Sequence, residues 1–380
     1  MTRFTVTYRI FAADLSEARD RARGVAVEQT VEVPEDVVPP GFVADEIVGR
    51  VEEIGTEAEG RFLATISYSP HSAGHELSQF FNVIFGNSSW HRGLRVVGID
   101  PGAEMMRRHP GPRFGIAGVR RLCGRPQGGL IAPVLKPQGL DAGTLAQIAE
   151  RCVHGGADIV KEDHGITDQP MARFAERVEK VAAAVSRANA RTGRQALYFP
   201  SLPGHVDRFA ENLRHARAAG AHGVLVMPGL LGFGVVARIA ADESLSMPVM
   251  THPAFLGPYV LSPDTGFDFG VMFGTLQRLA GSDISVFPNV GGRFGFSAAD
   301  CRAIADGCRA PAGPGRPILP SPGGGMTVER APELGAFFGP DAVHLLGGSL
   351  LRLGAHIGEG IAQVRAALDA AEARLAEERA

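Results

Sequence analysis

Four cysteines in 380 residues, Cys123, Cys152, Cys301 and Cys308, include no C-x-x-C pair, which argues against the usual zinc and redox motifs. So sparse a set fits a reducing compartment. A basic excess is also missing. Lys and Arg total 38 against 41 Asp and Glu, a formal charge of −3, so no global field draws nucleic acid to the chain. No run approaches the roughly 18 apolar residues that a membrane span needs. Met1 to Ala13 mixes polar and apolar residues, unlike the apolar stretch of a secretory signal. These absences predict a cytoplasmic protein with neither nucleic acid nor membrane as a partner. Low-complexity sequence is confined to Ala310–Arg316. What is present is an ordinary globular composition, 45% hydrophobic and 21% charged, with 49 Gly and 26 Pro spread through the chain as if for many tight loops. The length suits a barrel carrying an extra domain.

Two rhythms divide the chain. Residues 1–112 mix strand-like runs, Phe4–Ile10 and Gly60–Tyr68, with a helical stretch over Asp14–Gly24, as in a small α+β domain. From 113 to 380, short apolar runs alternate with helical patterns. The runs begin near Leu130, Ala157, Ala196, Gly223, Pro248, Ile284, Pro317 and Ala342. Continuous apolar runs are what parallel strands covered on both faces require. Eight such units predict a (β/α)8 TIM barrel with its function at the C-terminal strand ends. An Ala-rich amphipathic helix is expected from Gly354 to the C-terminus.

Unusual polar residues fall at those strand ends. Lys136 closes the first run and Lys161-Glu162-Asp163-His164 the second. Alternation points Lys161 and Asp163 to one side, and the turn at the strand end can bring His164 round to join them. His252 lies in the fifth run and Asn289 ends the sixth. The Gly291–Phe296 loop presents Arg293, whose planar fork suits a carboxylate or phosphate. The seventh run carries Ser321 and ends in Gly323-Gly324-Gly325, while the eighth ends in Gly347-Gly348-Ser349. Glycine turns on these last two strands predict a phosphate site. In a partly dry mouth, Lys136 can act as a general acid or base.

Several segments taken together resemble the large-chain family of ribulose-bisphosphate carboxylase, and more closely its non-carboxylating relatives, the RuBisCO-like proteins. They are Glu28-Gln29-Thr30, Gly86-Asn87, Gly124-Arg125-Pro126, Leu135-Lys136-Pro137, Gly155-Gly156-Ala157-Asp158 leading into Lys161, and Leu346-Gly347-Gly348. The resemblance implies a ferredoxin-like N-terminal domain before the barrel and a homodimer whose active sites are shared, with Glu28 and Asn87 reaching across. It implies Mg2+ held by Lys161, carrying CO2 as a carbamate, together with Asp163 and His164. His164 departs from the family, which has Glu there, a change that points to a looser site, a softer metal or an empty one. Lys136 matches the lysine that moves protons at the enolising carbon, and Arg293 the lysine of the mobile loop. The first phosphate position, here Ser321, Gly323, Gly324, Gly347 and Gly348, is kept. Next to the retained His252, the second phosphate's donors are replaced by Pro253 and Val286. A bisphosphate would leave an uncompensated dianion there, so ribulose-bisphosphate carboxylation is not expected.

The expected activity is enolate formation from a monophosphorylated keto sugar acid, by a carbon–carbon lyase or hydrolase. Decarboxylation or carboxyl transfer with hydrolysis of 3-oxo-isoapionate 4-phosphate would be of this type, with Lys136, Lys161, His252, Arg293, Glu28 and Asn87 as catalytic residues. The alternative is a methionine-salvage enzyme, either diketo-methylthiopentyl-phosphate enolase or methylthioribulose-phosphate isomerase. A Schiff-base aldolase using Lys136 or Lys161, and a binding protein without activity, are further readings.

Overall fold

The computed structural model describes residues 2–377. In β1 (Phe4–Phe11), Phe4, Val6, Tyr8 and Ile10 are buried and alternate with half-exposed neighbours, the period-2 signature of a strand with one covered face. β2 (Arg50–Ala58), β3 (Arg61–Tyr68) and β4 (Leu94–Asp100) complete an antiparallel sheet in the order β4-β1-β3-β2. Helices Leu15–Glu28 and Leu77–Phe85 fill the two crossovers, giving the ferredoxin-like βαββαβ pattern. Asp14 caps the first helix by accepting the Glu17 N–H at 2.9 Å. The buried Tyr8 hydroxyl meets Tyr68 Oη at 2.9 Å and donates to the Ile84 carbonyl at 2.6 Å, pinning the second helix to the sheet.

The eight apolar runs all become strands of a parallel barrel. They are β5 (Leu130–Leu135), β6 (Ile159–Glu162), β7 (Leu197–Phe199), β8 (Val224–Val226), β9 (Val249–Thr251), β11 (Ile284–Pro288), β12 (Leu319–Gly323) and β13 (Val343–Leu346), with β10 (Gly266–Phe267) inserted between the fifth and sixth. The ladder runs β7-β6-β5-β13-β12-β11-β9-β8. The ring closes where Leu225 N donates to Pro200 O at 2.8 Å and Leu202 N to Leu225 O at 3.1 Å. Leu130, Ile159, Leu197, Leu225, Met250, Ile284, Leu319 and Val343 fill the interior. Their alternates, such as Ile131, Val160, Tyr198 and Phe287, pack outward on the helices. Both faces are covered, which is why the strands read as unbroken apolar runs. The expected C-terminal helix spans Ile357–Glu377 after a single 3-10 turn.

Three strands carry no sequence signal. β2 is exposed or half exposed along its whole length and exists through its pairing with β3. β4 lacks clean alternation. β10 is two residues long and leaves the barrel to pair in parallel with β4, Gly266 opposite Arg95 and Phe267 opposite Val96. Arg95 holds this junction, bonding Asp268 Oδ1 at 2.5 Å and the Thr265 carbonyl at 3.1 Å. One short strand therefore fastens the small domain's sheet to the barrel.

Candidate active site

At the C-terminal strand ends lies a cavity of about 690 Å³. It gathers Lys136 after β5, Lys161, Asp163 and His164 at β6, His252 after β9, Arg293 after β11, Gly323 and Gly324 at β12, and Gly347 and Gly348 after β13. A second cavity, about 740 Å³, opens at the N-terminal ends near Gly128 and Pro340. Its charged groups are already engaged with one another, Arg120 with Asp341 and Arg125 with Asp369. In barrels of this kind the chemistry belongs to the C-terminal face.

Strand geometry sorts the β6 residues. Glu162 points out of the barrel, fully buried, and accepts from Arg177 Nε at 2.8 Å, Tyr198 Oη at 2.6 Å and Ser201 N at 2.9 Å. It is a structural carboxylate with its lone pairs occupied. Lys161 and Asp163 point in. Lys161 is buried, donates to the Glu162 carbonyl at 2.7 Å, and has its pKa drawn down to about 8, chiefly by burial, with Lys136 adding to the effect against Asp163 and Glu162. Burial alone would raise Asp163. The His164 hydrogen bond and the Lys136 and Lys161 charges outweigh it and hold the carboxyl well below the usual range. Lys136 Nζ stands 3.6 Å from Asp163 Oδ1. His164 Nδ1 lies 3.2 Å from the same oxygen, and its ring stacks on His252 with centroids 3.9 Å apart. Burial, then the neighbouring Lys161 charge, keeps His252 neutral, far below the ordinary histidine value.

These groups suit a carbamate-supported cation. A lysine whose pKa falls to about 8 offers the neutral amine that reaction with CO2 requires. The carboxylate of Asp163 and the ring of His164 stand beside it as further donors, here hydrogen-bonded to each other. Among the described residues no three His, Cys, Asp or Glu form a metal cluster, and a carbamate on Lys161 would add oxygens to the pair Asp163 and His164.

Both glycine turns line the cavity. A Cβ built on Gly347 or Gly348 would meet nothing within 4 Å, and Gly324 adopts φ +93°, a conformation that other residues rarely take. Backbone there lies open to the cavity. Ser321 does not join it. Its hydroxyl is buried and bonded to the Val343 carbonyl at 2.9 Å, on the barrel ladder below the turn. Its expected phosphate contact gives way to a structural one, because Ser321 sits two residues short of the strand end. Glu28 and Asn87 also lie away from the cavity within this chain. They pair with each other, Asn87 Nδ2 donating to Glu28 Oε1 at 3.1 Å. Gln29 sets that pair by donating to the Asn82 and Val83 carbonyls and accepting the Ser88 N–H at 2.9 Å.

Sequence reading missed half of the cavity. Phe255, Val260, Leu261, Phe273, Phe294 and Phe296 form an apolar wall together with Pro253 and Val286. Phe294 and Phe296, flanking Gly295 beside Arg293, were the available signal. Arg293 itself is exposed, its guanidinium 4.9 Å from the Phe294 ring centroid.

Comparison with known proteins agrees with this geometry. The model of the ribulose bisphosphate carboxylase large chain, catalytic domain, matches residues 115–310. Ribulose bisphosphate carboxylase-like protein 1 of Rhodopseudomonas palustris is 38% identical over 364 residues, 96% of this chain and 97% of the relative. The 5-methylthioribulose-1-phosphate isomerase of Rhodospirillum rubrum is 39% identical over 353 residues, 92% of this chain and 91% of the relative. The crystal structure of a Rubisco-like protein from Rhodopseudomonas palustris has a TM-score of 0.86 at 35% identity, covering 97% of this chain and 98% of that one. A shared barrel, a small domain in front of it and likeness across nearly the whole chain place this protein in the large-chain family of ribulose-bisphosphate carboxylase, as one of its RuBisCO-like proteins.

Proposed function

We propose that the chain is an isomerase of the methionine-salvage type, moving a proton on a ketose monophosphate with an apolar tail, such as 5-methylthioribulose 1-phosphate. The observation that carries this reading is the mixed lining of one cavity, which combines glycine backbone at Gly323, Gly324, Gly347 and Gly348 with the apolar side chains of Phe255, Val260, Leu261, Val286, Phe294 and Phe296. A monophosphate docks against the backbone N–H groups of the glycine turns. A thioether tail fits this apolar lining, whereas a second phosphate would find only Arg293 as a partner within it. The activity named for the Rhodospirillum rubrum relative supports the same substrate class.

Lys136 abstracts the carbon-bound proton beside the carbonyl, leaving an enediolate; the hydroxyl proton passes to the former carbonyl oxygen, and Lys136 returns its proton to the former carbonyl carbon. Atoms balance without water or a redox partner. His252, held neutral, stays a hydrogen-bonding group instead of a fixed charge. Lys161 as its carbamate, Asp163 and His164 would hold Mg2+, which when bound supplies positive charge to the enediolate oxygens. Glu28 and Asn87 act from the partner subunit of a homodimer, completing the rim.

Arg293 favours a second reading, the monophosphorylated keto sugar acid, because its exposed guanidinium at the rim could clamp a carboxylate. Assay of both substrates separates the two. Solvent deuterium entering the product of 5-methylthioribulose 1-phosphate supports the isomerase. Release of CO2 from 3-oxo-isoapionate 4-phosphate, with no exchange into the thioether sugar, would overturn it.

A further inference from the structure

Arg330 lies outside the cavity lining, yet it bonds two of the loops that form the mouth. Its Nη1 donates to the Gly325 carbonyl at 3.1 Å, on the glycine turn after β12. Its Nη2 donates to the Val290 carbonyl at 3.2 Å, at the root of the loop that carries Arg293. The fit is close on both sides. A Cβ on Gly325 would come 2.9 Å from Nη1, and one on Gly291 would come 3.1 Å from Nη2. The third loop is tied in by Ser349, whose hydroxyl donates to the Met326 carbonyl at 2.7 Å. A planar trans peptide sets its N–H opposite its carbonyl, so the bond to Val290 turns the N–H of Gly291, a cavity-lining residue, away from the guanidinium. Gly291 and Gly325 both take positive φ, 68° and 70°, so the fork meets backbone in shapes that side chains rarely permit.

We infer that Arg330 is a positioning residue that couples the glycine turn after β12 to the Arg293 loop, so that an anion seated on the turns stiffens that loop. The inference rests on the phosphate reading of the glycine turns proposed above. A rigid, two-pronged donor suits this task, whereas an ammonium offers one point of charge on a flexible stem. Besides the two carbonyls, the Arg330 guanidinium reaches Glu333 Oε1 at 3.4 Å. On this inference Arg330 meets neither the reacting carbons nor the anion. It sets the backbone that does.

The test uses the full chain and inorganic phosphate. Phosphate affinity is measured by calorimetry, and amide hydrogen exchange is followed over residues 290–296, for the wild type, Arg330→Met and Arg330→Lys. In the wild type, phosphate should slow exchange in that loop by about tenfold. Both variants should bind phosphate within about threefold of the wild type and lose the slowing, the lysine because it lacks the fork. Loop protection that persists in either variant overturns the inference, as does loss of phosphate binding in a folded variant, which would make Arg330 a ligand. If the wild type binds phosphate without slowing its loop, the coupling fails alone. If the wild type binds no phosphate, the reading of the glycine turns fails with it.

Discussion

The lining of the cavity is built from two contrasting materials. One is backbone, at Gly323, Gly324, Gly347 and Gly348. The other is side chain, where Pro253, Val286 and several phenylalanines offer an anion no donor, with Arg293 beside Phe294 as the exception. Lys136, Lys161, Asp163, His164 and His252 line the same cavity. The contrast teaches that, on the proposed reading, a substrate is selected by two kinds of surface, one suited to an anion and one to an apolar tail.

The largest effect should come from the lysine of the polar cluster, which neither kind of lining can replace. Lys136→Met should lower turnover about a thousandfold while ligand affinity stays within about threefold. Retained turnover would remove Lys136 from the proton path. Next comes the polar wall. Gly348→Asp sets a carboxylate in open space, without a clash, since a Cβ there meets nothing within 4 Å. Affinity for a phosphorylated ligand, read by calorimetry, should drop about a hundredfold through repulsion and lost backbone access. The apolar wall should be softer. Val286→His should weaken a thioether-tailed phosphosugar by about tenfold and leave inorganic phosphate binding nearly unchanged. Equal losses for both ligands would dissolve the distinction between the walls.

A control sits outside both. His344 on β13 is fully buried beside Gly129 and Leu368, and neither ring nitrogen has a hydrogen-bond partner among the described residues. Burial, then the Arg365 charge, lowers its pKa to about 4 from 6.5. The folded state therefore binds fewer protons than the unfolded chain in this window. Stability should be full above the unfolded value and fall as the pH drops from about 6.5 towards 4, by about 1 kcal/mol at pH 5.5. Urea unfolding at pH 7.5 and 5.5 reads the loss, and His344→Leu should shrink it without altering ligand selectivity.

The barrel was legible because every strand is covered on both faces, so Ile159-Val160 or Leu225-Val226 had to be apolar. The polar residues that break such runs were legible for the same reason, since Lys161 follows Ile159-Val160 where a covered strand is otherwise apolar. Ser321 misled because it also breaks a run, yet its hydroxyl satisfies a ladder carbonyl. The apolar wall could not be read, because phenylalanine in a loop looks the same whether it lines a cavity or covers a core. Arg330 was equally silent. Its role depends on two carbonyls far apart in sequence, and backbone acceptors carry no residue signature.

The Arg95 junction between β4 and β10 has a reach beyond fastening. Its guanidinium also bonds the Val260 carbonyl at 3.3 Å, and Val260 belongs to the apolar wall. The segment from His252 to Phe267 thus runs from the polar cluster of the cavity at one end to the small domain at the other. If the proposed reading holds, tail preference would be retuned by substitutions that never enter the barrel, through the edge of a neighbouring sheet.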